Sequence, residues 1–465
     1  MDVIVRDKNG PVTGLNQDDF TLLDNGKPQR ISVFAVKGTQ SSRRSAVPLP
    51  PGTVSNRLTR NGQEGASSTV ILIDRLNTSP EDQQYANRKI VKFLEARRSQ
   101  DRIGIYAFGN GLRAVQDLTD DPDRLSRAIN SLKPRDANHR TLYTPGPLEK
   151  VEPEMTERAL EEYTLLTADD RVLSTKHALE AIARHLAPVP GRKSLIWVTS
   201  SFPLLLQTAH ETKNFSQDMK QAAQALNDAN VAFYAVDARG LVYGTRRAWG
   251  LTIPGLDTMN TLAGLTGGRA FYADNGIDSL IEEAVEDSEL IYTLGFYPSQ
   301  ESQEGDWHKL KVSVDKRGVS VRYREAYFAS KVLAGADQHP TLDQVLRNTL
   351  DAAEIGLRAE TTPDQARPGS YKLRATVDLH DVHLEHRDAR WVGGVDVSLY
   401  MEGAPSAYKI TRKIEIPDDQ LAAALEMGIV VDVSIGLPGP TGDLRVVVQD
   451  DATGAGGSVR VPLGR

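Results

Sequence analysis

The chain has 465 residues, 40% hydrophobic and 25% charged, with 55 basic against 62 acidic side chains and a formal net charge of -7. That balance is ordinary for a globular protein and offers neither a basic stripe for nucleic acid nor an acidic solubilising tail. With no cysteine, disulfides, thiol catalysis and zinc–thiolate sites are excluded, and no apolar run reaches the length of a membrane-spanning helix. At roughly 100–200 residues per domain, the length implies two to four domains.

Residues 1–36 read as short strands joined by the turn signals "KNG" and "DNG". Residues 37–68, rich in Ser, Gly, Pro and Arg and without periodicity, read as a linker or mobile loop. From 69 to 289 the pattern becomes strand-then-helix: "TVILID", a helix over 80–98, "RIGIYAF", the short "LRAVQDL", the helix "PDRLSRAINSL", then "TKHALEAIARHL" before "KSLIWVT", "SQDMKQAAQALNDAN" before "VAFYAVD", and "MNTLAGLTG" before "RAFYA". Apolar strands without polar alternation imply a sheet covered on both faces, and the alternation with helices implies an α/β domain with a doubly wound, mostly parallel sheet. The Pro-rich stretch 134–172 reads as an insertion in it. Residues 290–328 return to period-two alternation as a β hairpin segment, read as packing with 1–36. A linker over 329–345 leads to residues 346–465, whose alternating strands and Gly/Pro/Asp turns predict an antiparallel β-sandwich of about seven strands.

Candidate site residues follow from this layout. An open α/β sheet binds ligands at the carboxyl ends of its strands. Asp74, in "VILIDRLNTSP", lies at one such end, and Ser200 and Asp237 are predicted at others. Ser79-Pro80-Glu81-Asp82 has the composition of a helix N-cap. "LAGLTGGRAF" places its glycines after a helix and before a strand, the reverse of a phosphate cradle, and reads as a helix C-cap and turn. His380, His383 and His386 are close in sequence, but no further ligand spacing supports a transition-metal site, so a turn or solvated strand end is the reading adopted. No Ser-His-Asp order or carboxylate pair for catalysis stands out, and no catalytic residue is assigned.

The order of elements resembles a von Willebrand factor type A domain. It resembles more closely the bacterial VWFA-related proteins common in acidobacteria, through "VTGLNQDDFTLLDNGKPQRISVF", "DRLNTSPEDQQYANRKIVKFL", "PGRKSLIWVTSSFP", "VAFYAVDARGL", "LAGLTGGRAFYADN", "YTLGFYPSQESQEGDWHKLKVSV" and the tail "GDLRVVVQDDATGAGGSVRVPL". A-type domains often carry a metal-ion-dependent adhesion site: an Asp-x-Ser-x-Ser loop, a later Thr and a later Asp, which hold Mg²⁺ through oxygen. Carried across, the resemblance implies Asp74, Thr78, Thr175 and Ser200 as the ligand positions, with Thr141 or Thr144 as alternatives to Thr175. Leu76 replaces the middle serine and Ser200 the usual Asp, so the implied site is degenerate, with Mg²⁺ held at low affinity or not at all.

The expectation is therefore an exported, non-catalytic protein-interaction protein, an adhesion or scaffold component. Its unidentified protein partner would bind the strand-end face, with Asn77, Ser201, Asp237, Arg246, Arg247 and Trp249 in the contacting loops. The alternatives are a scaffold in which the C-terminal sandwich does the binding and, third, an enzyme. Export is implied by the resemblance alone: "MDVIVRDKNG" has no signal-peptide pattern, which fits either a cytoplasmic chain or one whose signal peptide was removed.

Overall fold

Three strands with apolar middles, Ser68–Asp74, Lys193–Thr199 and Val231–Asp237, are buried along their whole length and form the middle of a six-stranded sheet. The computed structural model describes residues 1–38, 52–56, 68–96, 101–109, 111–133, 153–189, 191–200, 205–207, 212–239, 256–271, 276–287, 290–297, 307–329, 350–364, 366–367, 370–401, 408–436 and 442–463. Across the sheet the order is Arg269–Phe271, Val231–Asp237, Lys193–Thr199, Ser68–Asp74, Arg102–Phe108, Leu112–Thr119. The first five are parallel and the last is an antiparallel edge strand. From Ser68–Asp74 the chain steps outward to one side, then crosses back to begin again at Lys193–Thr199. The sheet order therefore reverses between those two neighbours, and the crevice at their carboxyl ends is where such a sheet takes ligands.

Side chains alternate across the sheet. Ile71, Ile73, Ile103, Ile105, Ile196 and Val198 join one core with Ile90, Phe93, Leu125, Ile129 and Ile281. These last belong to helices α1 (Pro80–Ala96), α2 (Pro122–Ser131) and α6 (Ile277–Glu286). Leu72, Trp197 and Phe233 face the other way and are equally buried. Helices α4 (Ser216–Asp228) and α5 (Leu256–Thr266) pack on the Val231–Asp237 strand. Each such fully buried side chain is worth about 1.5–3 kcal/mol over exposure, which is why the runs carry no polar alternation. Helix α3 (Pro153–Leu186) is 34 residues long. It takes in the second half of the stretch read as an insertion over 134–172, because from Pro153, a residue suited to the first helical turn, the sequence is rich in Glu, Ala and Leu.

Besides a two-stranded antiparallel ribbon of Leu205–Gln207 and Thr212–Asn214, the same unit holds two further antiparallel sheets. In one, Asp2–Asp7 lies between Leu290–Gly295 and Ser320–Tyr323, and Val33–Gly38 flanks Leu290–Gly295. In the other, Trp307–Val314 pairs with Phe20–Asp24 and with Ala326–Phe328. Residues 290–328 are thus not a hairpin: their first two strands sit in different sheets, sharing a core of Val3, Val5, Phe20, Leu22, Tyr292, Leu294, Leu310 and Val312. This β-rich portion is tied to the α/β portion through Asp287, just past α6, a buried carboxylate that accepts from Tyr234 Oη at 3.1 Å and Arg6 Nη1 at 3.3 Å and pairs with Arg322. Burial raises the Asp287 carboxyl above its ordinary range, against the pull of Arg322 and Arg6.

The second unit contains two antiparallel sheets built on one core that includes Leu357, Leu373, Val395, Val397, Val431, Val446 and Val459. The segment read as a linker over 37–68 supplies one strand of it. Val54–Ser55 pairs with Leu357–Pro363, and the buried Asn56 donates to Ala352 O and Ile355 O at 2.7 and 2.8 Å and accepts from Leu357 N at 2.7 Å. Two residues are too few to show a period. The interval 329–345 lies outside the described residues beyond position 329.

Candidate functional site

Asp74 ends the first strand of the sheet and is wholly buried. Its Oδ1 accepts from the backbone nitrogens of Leu76 and Asn77, each at 2.9 Å. Its Oδ2 accepts from Asn77 Nδ2 at 2.9 Å and from Thr199 Oγ1 at 2.8 Å. A carboxylate offers about four acceptor positions, and all four are used. Burial pushes the Asp74 carboxyl up while these four bonds oppose the shift.

The loop then turns into α1. Ser79 Oγ accepts from Asp82 N at 3.2 Å, as an N-cap does, and Gln83 Nε2 donates to Thr78 O at 2.8 Å. Thr78, also buried, accepts at its hydroxyl from Ser200 N at 3.2 Å. Ser200 Oγ donates to Asp82 Oδ2 at 2.9 Å. At the next strand end Asp237 is gripped by Arg239 through Nε at 2.9 Å and Nη2 at 2.8 Å, and by the Arg239 backbone nitrogen at 3.0 Å. The Asp237 carboxylate holds Arg239 firmly charged, and Asp82 adds to that field. Ala238 N donates to Thr199 O at 3.0 Å and closes the gap between the two strand ends.

The structure thus brings Asp74, Asn77, Thr78 and Ser200 into one network. Asp237 stands at the adjacent strand end with its own arginine. Thr175 is elsewhere in its bonding: it lies within α3 and donates to Arg171 O, four residues back, at 2.8 Å. Ser201, Arg246, Arg247 and Trp249 lie outside the described residues, as do Thr141 and Thr144. Sequence reading did not single out Thr199, Asp82 or Arg239 as members of this network. Thr199 is in register with Asp237 and one step beyond the Val198–Ile73 pair, a register that places it beside Asp74 and that the sequence alone does not reveal.

The donor set does not fit Mg²⁺. That ion asks for near-octahedral oxygen ligation with one or two carboxylates. Asp74 has no acceptor position left, the Thr175 hydroxyl is spent on its own helix, and Ser200 stands where a second carboxylate is needed and gives its proton to Asp82. Among the described residues no group of three or more His, Asp or Glu is placed to hold a metal. His380 and His386 each meet a separate carboxylate, Asp378 at 3.0 Å and Asp418 at 2.9 Å.

No family model matches the sequence, and no curated protein matches it. Among solved structures, the chain is similar to a von Willebrand factor type A protein from Catenulispora acidiphila at 12% identity and a TM-score of 0.30, over 95% of this chain and 72% of that one. It is also similar to an aerotolerance-related membrane protein from Bacteroides fragilis (15% identity, TM-score 0.31, 47% of this chain and 98% of that one) and to BatB from Bacteroides thetaiotaomicron (16%, 0.29, 48% and 98%). At such scores these likenesses support no conclusion about function.

Proposed function

We propose that this chain is an exported, non-catalytic interaction protein in which an A-type, doubly wound α/β domain presents its strand-end face to a protein partner without the help of a metal ion. The C-terminal sheets, in this reading a β-sandwich, serve as a second, structural domain. The observation that carries the reading is the closure of Asp74. Where an adhesion site of this type keeps its aspartate open to a cation, here Asn77 and Thr199 occupy both carboxylate oxygens together with two backbone amides. Beside it stand the half-buried Asp82 and Arg239, the latter paired with the buried Asp237, charges that select by complementarity with a partner's own. The position at the point where sheet order reverses supports a binding role for this end over the opposite one.

The experiment is a cross-linking capture from envelope extracts of the source cells, run with excess EDTA and with Mg²⁺, on the wild type and on Arg239→Glu. Equal capture of one defined protein in both buffers, lost in the variant, is the expected result. Capture that requires Mg²⁺ sinks the metal-free reading, and capture indifferent to Arg239→Glu moves the interface away from this face.

A further inference from the structure

At the other end of the sheet, where Lys193–Thr199 and Val231–Asp237 begin, there is a cavity of about 260 Å³ whose lining includes Arg192, Arg324, Asn230, Thr293 and Asp2. It belongs wholly to the first unit and shares no residue with the face described above. Two guanidinium groups meet in this cavity, and neither is satisfied. The Nε atoms of both arginines are buried without a hydrogen-bond partner. Arg192 donates from Nη2 to Gly267 O at 2.6 Å and lies beside the Tyr234 hydroxyl. The Arg324 guanidinium makes no hydrogen bond or ion pair among the described residues.

Buried donors without partners are costly, more so when charged, and such groups call for an explanation, an ion or a water among the candidates. Asp2 does not supply it. Its Oδ1 accepts from Thr293 Oγ1 at 2.8 Å and its Oδ2 from Asn230 Nδ2 at 3.4 Å, and it forms no ion pair with either arginine. Lys193 and Lys37 lie near enough to Asp2 and to each other to add positive potential. Burial lowers the Arg324 guanidinium from its ordinary value, against Asp2 and Asp228, with Arg192 adding a smaller push in the same direction as burial. Since a water takes roughly 30 Å³ of liquid, the space admits a small anion with some of its hydration shell.

We propose that this cavity binds one compact oxyanion group, a phosphate or a carboxylate, gripped by the Arg324 and Arg192 guanidinium groups, whose planar forks match two oxygens of such a group. The ligand enters at the amino ends of the strands, so its binding is independent of any partner at the carboxyl ends.

The test is calorimetric titration of the full chain with inorganic phosphate and, separately, with acetate, beside Arg324→Gln and Arg324→Lys. The expected result is saturable one-to-one binding by the wild type, weakened at least tenfold in Arg324→Gln and partly restored in Arg324→Lys. Phosphate bound in preference assigns a phosphorylated ligand, and acetate bound equally or better assigns a carboxylate. No saturable heat from either anion into the tens of millimolar, or unchanged binding by Arg324→Gln, overturns the proposal. Should a variant fold poorly, the wild-type unfolding midpoint decides alone: it rises with anion concentration if the folded state binds, and a midpoint that follows ionic strength but not anion identity counts against the site.

Discussion

Thr199 donates its hydroxyl to Asp74 across two neighbouring parallel strands, at 2.8 Å and out of contact with water. The bond is one of four that hold a buried carboxylate, so its loss leaves an acceptor unpaired where no solvent replaces it. Thr199→Val is expected to lower unfolding stability by about 1–3 kcal/mol. Asp74→Ala strands four donors at once and is expected to cost more. Urea denaturation followed by circular dichroism measures both, and a Thr199→Val midpoint equal to wild type would show that the bond carries no net stability.

The closed Asp74 loop also sets an expectation for metals. Chelator-stripped protein titrated with Mg²⁺ or Mn²⁺ is expected to show no saturable heat up to millimolar concentration, and EDTA is expected to leave the unfolding midpoint where it was. Saturable binding that disappears in Asp74→Ala would mean that the loop opens to admit a cation.

Asp287 anchors two arginines from the β-rich portion and a tyrosine from the sheet. Asp287→Ala leaves Arg6 and Arg322 facing each other without their shared anion, and removing one partner of a buried ion pair typically costs about 3–5 kcal/mol. Glu283 and Glu286 remain on these arginines, so the lower end of that range is expected, read from equilibrium unfolding of Asp287→Ala against Asp287→Glu.

Lys193 begins a central strand, and burial brings its ammonium down to about 8 from 10.5, against the pull of Asp2. For a base whose folded pKa lies below its unfolded one, the charged form is penalised in the folded state. That penalty is complete below pH 8 and is relieved as pH rises toward 10.5. Lys193→Met is therefore expected to be more stable than wild type at pH 7, by on the order of 1 kcal/mol, with the gap closing between pH 8 and 10.5. A gap that does not change over that interval would place its origin in packing.

Asn56 reaches three backbone groups of the second unit from a segment about 300 positions away in sequence. Asn56→Ala is expected to destabilise that unit by roughly 2–4 kcal/mol and to expose residues 350–463 to limited proteolysis before the first unit. Simultaneous cleavage of both units would indicate that Asn56 acts globally.

What the sequence disclosed follows the range of the forces involved. The α/β alternation was legible because a strand covered on both faces has to be apolar through its middle, as "LIWV" and "VAFYAV" are. Asp74 stood out as the first acid after such a run. Its partners did not, since Thr199 is 125 positions away and an ordinary strand residue by composition. Val54–Ser55 was hidden because two residues carry no period, and only Asn56 behind them has a chemical reason to be where it is. Arg192 and Arg324 carry no signal in the sequence, because nothing local tells a snorkelling arginine from one enclosed beside another.

Val33–Gly38 and Leu290–Gly295 run side by side in opposite directions, with Gly38 opposite Leu290 and Val33 opposite Gly295. A load that separated Gly38 from Leu290 would therefore meet the bonds of this ribbon one after another, as in a zip, whereas a load along the strand axis would have to shear them together.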